Sequence, residues 1–205
     1  MSVVKEGVLE CDGLSLRYAE AGEGEAVIVF PAEEGGRFDD VAEALSSRYR
    51  VLAIDVPVGA GKAPDLAKQL TRGLARIGTT SFNVVGESRG AALALAQALY
   101  TPKQVQRLVL LSPLLEVVQH PEFEAELGKI ATPTLVLVGT RDRSGSRDAG
   151  HVCRERIPAC HLVLVYEAGQ ALLADRREAC LTPINEFLEQ GEGFIVFHES
   201  HLVHS

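Results

Sequence analysis

No stretch of this sequence is rich in lysine or arginine, and its charge balance runs the other way. The 20 Lys and Arg against 28 Asp and Glu leave a formal charge of −8 and a pI near 5.3. An acidic field of that size repels phosphate backbones and anionic lipid, so neither nucleic acid nor a membrane surface is expected as a partner. No apolar run reaches the roughly 18 residues that a membrane-spanning helix needs. The opening residues, Met1–Gly7, hold no apolar h-region, so the expectation is a cytoplasmic chain without a signal peptide. Cys11, Cys153, Cys160 and Cys180 form no C-x-x-C pair and no close cluster, which leaves no metal knuckle and implies plain thiols. Internal repeats and low-complexity tracts are also lacking. Three of the six histidines, His198, His201 and His204, crowd into the last eight residues and read as a polar tail rather than a ligand set.

What remains is 205 residues, 46% apolar and 23% charged, the composition of one globular domain with a sizeable core. Gly7–Cys11 and Leu14–Ala19 flank Asp12-Gly13, a two-residue hairpin signal. Short apolar runs at Ala26–Phe30 and Val51–Ile54 predict strands buried on both faces, and Ser81–Val85, Val105–Leu111, Thr134–Val138 and Leu162–Val165 read as further strands. Helical spacing occupies the gaps, over Phe38–Arg48, Pro64–Ile77, Gly90–Tyr100, Arg147–Arg156 and Ala171–Glu189. A hairpin followed by strand–helix units predicts an α/β fold, a mostly parallel sheet with helices on both faces. The domain would span residues 1–190. Residues 191–205 would form a tail whose apolar strand, Phe194–Phe197, offers a sheet edge and with it a possible homodimer contact.

The most informative string is Gly86-Glu87-Ser88-Arg89-Gly90, placed between a predicted strand and a predicted helix. A serine there occupies a sharp strand-to-helix turn, and glycines two residues to either side relieve the crowding. The helix start then aims the Arg89 amide and the helix dipole at a developing oxyanion. With the opening hairpin, the strand order and the late segment Thr132–Asp142 (TPTLVLVGTRD), the chain resembles the α/β-hydrolase superfamily from about Gly7 to Glu189. The resemblance implies Ser88 as nucleophile and Asp142 as the acid, with Asp148 as a substitute. It places the cap of relatives within Leu114–Ile130, so the cap is minimal and the pocket is expected to be open and shallow.

Three family motifs have drifted. Where relatives carry histidine after the last strand, this chain reads Glu167-Ala168-Gly169-Gln170-Ala171-Leu172, so Gln170 takes the histidine position. An amide hydrogen-bonds but cannot accept a proton from serine near neutral pH. After the third strand the usual His-Gly is replaced by Pro31-Ala32-Glu33-Glu34, which leaves the Glu33 amide as the second oxyanion donor, beside two carboxylates. The turn Asp55-Val-Pro-Val-Gly59-Ala-Gly61-Lys62 is displaced by one residue and lacks its serine. None of the remaining histidines makes a good replacement base. His161 begins the last strand, at the far end of the sheet, His151 sits in a helix, and His120 lies in the shortened cap.

Rival sites lack their fingerprints. Gly59–Lys62 has neither the first glycine nor the Ser/Thr of a phosphate loop, and no G-x-G-x-x-G follows the early strands. No metal, nucleotide or flavin cofactor is implied. Two readings follow: a serine hydrolase of small esters or thioesters, weakened by Gln170, or a non-catalytic relative that binds a small molecule or a protein partner.

Overall fold

The computed structural model describes residues 3–32, 40–57, 59–191 and 193. Eight strands form a single sheet: β1 (Lys5–Cys11), β2 (Leu14–Ala21), β3 (Ala26–Phe30), β4 (Arg50–Ile54), β5 (Phe82–Glu87), β6 (Val105–Leu111), β7 (Thr134–Gly139) and β8 (Cys160–Val165). Their spatial order is β1-β2-β4-β3-β5-β6-β7-β8. The β1–β2 hairpin turns at Asp12-Gly13, and β2 pairs antiparallel with β4. Every other pairing is parallel.

The continuous apolar runs are explained by a core on each side of the sheet. In β3 all five residues are buried, Ile28 and Phe30 toward one face, Val27 and Val29 toward the other. The first face is covered by α2 (Ala63–Arg76), α3 (Ala91–Tyr100) and α6 (Ser146–Arg156). Residues of α1 (Asp40–Leu45) and α7 (Leu172–Gln190) cover the second. Amphipathic spacing directs the packing of α2, where Leu66, Leu70 and Leu74 recur every fourth position and are all buried. Pro64 and Asp65 favour its start.

Two expectations shift in detail. The helix expected over Phe38–Arg48 is Asp40–Leu45 among the described residues, and the last helix is broken at Arg176, whose backbone (φ −145°, ψ 62°) is not helical. The proposed tail strand Phe194–Phe197 and His198, His201 and His204 lie outside the described residues. Among those described, no helix is long and apolar enough to cross a membrane.

Chain order places the site. From β3 the chain moves outward to β4, then crosses back over β3 to lay down β5. The carboxyl ends of β3 and β5 thus flank the point where connectivity reverses, the usual crevice for ligands in an open α/β sheet.

Packing of α2 on the sheet can be tested directly. Leu70 is fully buried, so Leu70→Ala should lower stability by about 2–5 kcal/mol in urea denaturation. A loss below about 1 kcal/mol would show that this helix face is not packed as described.

Candidate active site

Ser88 follows the last residue of β5 with φ +49°, in the left-handed region that residues with a side chain seldom adopt. It opens one 3-10 turn, Ser88–Gly90, which feeds directly into α3. This is the strand-to-helix turn that the sequence pattern anticipated. A Cβ at Gly86 would stand 2.6 Å from Ala94 Cβ, and one at Gly90 only 2.1 Å from the Phe30 carbonyl oxygen. Glycine at these two places therefore lets α3 settle onto β5 and lets the end of β3 lie against the turn. Ser88 is 8% exposed, whereas the Arg89 side chain is exposed at the start of the helix.

Gln170 lies beside this serine, 82 residues later in the chain. Its amide donates a 3.4 Å hydrogen bond from Nε2 to Ser88 Oγ. The loop that delivers it is tied down on several sides. Arg141 N donates to the Ala168 carbonyl (2.9 Å), Glu167 N to Thr140 Oγ1 (2.9 Å), and Gly169 N to the Asp175 carboxylate (2.7 Å). A Cβ at Gly139 would meet the Ala168 and Gly169 carbonyls at 2.2 and 2.3 Å, so the end of β7 and this loop are in direct contact.

Asp142 sits three residues beyond β7 and is 7% exposed. Its two oxygens accept from Ser144 N (2.7 Å) and Ser146 Oγ (2.6 Å). Burial pushes the carboxyl up, but these hydrogen bonds outweigh it and hold Asp142 below the ordinary value of 3.8. Among the described residues no hydrogen bond joins Asp142 to Gln170, so the acid is satisfied by its own turn. Asp148, the substitute acid, is exposed in the first turn of α6.

The other expected residues are dispersed. Glu33 lies outside the described residues. His161 pairs opposite Leu135 near the amino end of β8, remote from Ser88, and His151 is exposed on α6. His120, between two short cap helices, α4 (Leu115–Val118) and α5 (Pro121–Glu124), is exposed but lines the same cavity as Arg89. The cap segment is short, as expected, and the cavity beside it is open to solvent. Val118, Phe123, Leu127 and Ile130 are buried against the core, and a cavity of about 730 Å³ opens between the cap, the elbow and the start of α2. Arg89, Gly90, Pro31 and Lys62 are among its walls.

Sequence reasoning missed Ser112, at the end of β6. It is fully buried with φ +40°, and its hydroxyl lies close enough to the Asp142 carboxylate to help hold it below the ordinary value. The Ser112-Pro113 pair just past a strand was the available signal. The roles of Ser144 and Ser146 as donors to Asp142 were equally invisible, because they depend on how one turn closes.

Compared with known proteins, residues 25–127, half of the chain, match the model of the alpha/beta hydrolase fold family. Over 91% of this chain and 97% of its own length, ABHD14B of Rattus norvegicus, by its name a candidate protein-lysine deacylase, is 26% identical. A pimeloyl-[acyl-carrier protein] methyl ester esterase of Nitrosomonas europaea is 31% identical over 59% of this chain and 54% of its own. Another of the curated relatives is matched over only 31% of its length, so for two of them the chain spans about half or less. Among solved structures, a carboxylesterase of Bacillus subtilis superposes with a TM-score of 0.77 at 14% identity, covering 91% of this chain and 92% of the other.

Two outcomes test the geometry. Gly90→Ala should destabilise the protein by about 3 kcal/mol in urea denaturation, since the added methyl displaces the end of β3. A neutral effect would mean that the two segments are not in contact. Ser146→Ala should cost roughly 1–2 kcal/mol at pH 7 through the lost hydrogen bond to Asp142. Because Asp142 takes up its proton less readily when folded, its contribution is full above the unfolded value and fades as pH falls through the lower folded value. The gap between Ser146→Ala and wild type should therefore narrow below about pH 4, and a gap independent of pH would contradict this.

Proposed function

The chain belongs to the alpha/beta hydrolase fold family, and from that premise we propose that it is a cytoplasmic serine hydrolase of small esters or thioesters with weak turnover. The observation that carries the reading is the Ser88 turn itself: a left-handed serine at a strand–helix junction, beside a cavity large enough for a small substrate. Ser88 Oγ attacks the carbonyl carbon, and the charge that develops on the carbonyl oxygen is met by the amides of Arg89 and Glu33. The leaving alcohol or thiol departs with a proton, and water then cleaves the acyl-serine. The same attack would serve the acyl-lysine substrates named for the Rattus norvegicus relative, with a poorer leaving group.

Gln170 sets the rate. It stands where relatives carry the base, and its amide reaches Ser88 Oγ without being able to take the proton. In subtilisin, loss of the serine or its base costs on the order of 10^6 in turnover, while binding and the oxyanion site alone retain roughly 10^3–10^4 over water. The Ser88 proton passes to water, and Asp142 orients this corner of the site without contacting the serine. Gln170 also favours a second reading, in which the fold binds a small molecule or a protein and turns nothing over.

Hydrolysis of p-nitrophenyl acetate by wild type, Ser88→Ala and Gln170→His separates the two. The hydrolase reading expects slow wild-type turnover that Ser88→Ala abolishes, with Gln170→His raising the rate at least about tenfold. Activity unchanged in Ser88→Ala removes Ser88 as nucleophile. Silence in all three proteins supports the binding reading.

A further inference from the structure

The two edges of the sheet are built differently. On one edge β1 carries Lys5, Glu6 and Glu10, all exposed, and charges of this kind keep a strand from pairing with another chain. The other edge is β8, which holds no Asp, Glu, Lys, Arg or Pro. Its two faces are covered by α6 and α7, yet His161, Leu162, Val163 and Leu164 stay only half-buried. In a parallel pair each residue turns its N–H and C=O to one side, and successive residues alternate. The Ala159 and Val165 carbonyls accept from Thr134 N (2.8 Å) and Thr140 N (3.0 Å), at the two ends of β7. The odd-numbered residues of β8 therefore bond β7, and Cys160, Leu162 and Leu164 turn their backbone groups outward.

Helix α6 lies over this edge. A Cβ at Gly150 would stand 2.8 Å from Leu162 Cδ1, so the middle of the helix sits on the middle of the strand. Arg156 marks the flank toward the cap, where it pairs with Glu124. Arg154 marks the flank toward β8: burial and the Cys153 thiol push the Cys160 thiol up, and the Arg154 charge pulls it back. The helix exposes Arg147 and Asp148 near its start and Arg154 and Glu155 near its end. Among the described residues none of these four is in an ion pair.

Both features are self-complementary when read in reverse. A two-fold axis at Leu162 sets this residue against itself and Cys160 against Leu164, all with outward backbone groups. His151 stands midway between Arg147 and Glu155, and also between Asp148 and Arg154. Since Gly150 sits on Leu162, the same axis passes beside His151 and brings Arg147 toward Glu155 of a second copy, and Arg154 toward Asp148. Strand register and charge order thus select one axis independently. Each copy's −8 opposes association at long range, so the match must be local. A strip of both signs offers that match to its own copy, and to neither a polyanion nor a polycation.

We propose that β8 is the interface of a two-fold homodimer, with the two sheets joined edge to edge and the two α6 helices side by side. The contact needs none of residues 194–205 and does not rest on the hydrolase reading.

Sedimentation velocity of the wild-type chain should show a reversible dimer that grows with concentration. Arg147→Glu should weaken it at least about tenfold, and adding Glu155→Arg should restore it to within about threefold. Both positions are exposed, so these variants should keep the wild-type urea midpoint. Backbone amides of Leu162 and Leu164 should exchange at least about tenfold more slowly in the dimer. Val8→Lys, on the exposed β1 edge, should change none of this. A chain that stays monomeric, whether its β8 edge is bare or covered by its own residues, overturns the proposal. So does a dimer that Arg147→Glu leaves intact, that Glu155→Arg fails to restore, or that leaves the Leu162 and Leu164 amides unprotected.

Discussion

A Cβ at position 90 would stand 2.1 Å from the carbonyl oxygen of Phe30, and glycine there is what allows the end of β3 to lie against the turn that carries Ser88. The register Phe30↔Gly86 between parallel β3 and β5 brings the two segments level, and Gly86 lets α3 lie down on β5 immediately afterwards. Once that contact is made, the rest of the site is a matter of strand order. Ser88, Ser112, Asp142 and the Gln170 loop follow the carboxyl ends of β5, β6, β7 and β8, which are neighbours in the sheet at roughly 4.8 Å spacing. One close backbone approach and one uninterrupted parallel order thus put residues 82 positions apart within hydrogen-bonding reach.

Much of this was legible in the residues, for physical reasons that can be named. Strands buried on both faces must be continuously apolar, so Ala26–Phe30 was read with the bounds it has. The serine turn was legible because steric crowding leaves few residue types that fit around it. The meeting of Gln170 with Ser88 followed from a resemblance and not from local pattern, since nothing in a loop's own composition says what it faces. Breaks such as that at Arg176, and turn closures such as Ser144 and Ser146 onto Asp142, depend on contacts made only after folding. In the short cap, Val118 and Ile130 pack into the core while Phe123 is buried and also lines the cavity, a division that spacing alone does not give.

Charge is distributed with the same dependence on context. Composition alone argues against extended polyanions as partners, because they sense the whole field. A small anion entering a concave site senses the few groups that line it. In the cavity near Ser88 those groups are of both signs, Lys62 and Arg89 against Asp55 and Glu116.

Asp142 and Ser88 carry different weight as signs of chemistry. Asp142 is fully engaged by Ser144 and Ser146, so the fold has a structural use for it whether or not a proton ever moves nearby. Backbone strain is not decisive alone either, because Ser112 at the next strand end has a similar positive φ. The difference lies in access. Ser112 is sealed in the core, whereas Ser88 keeps some exposure at a crevice and points its hydroxyl at a polar partner. Left-handed backbone at a serine costs on the order of 1–2 kcal/mol, and glycine would relieve it without disturbing the strand–helix junction. The strained hydroxyl, and not the acid, is therefore the feature that folding alone leaves unexplained.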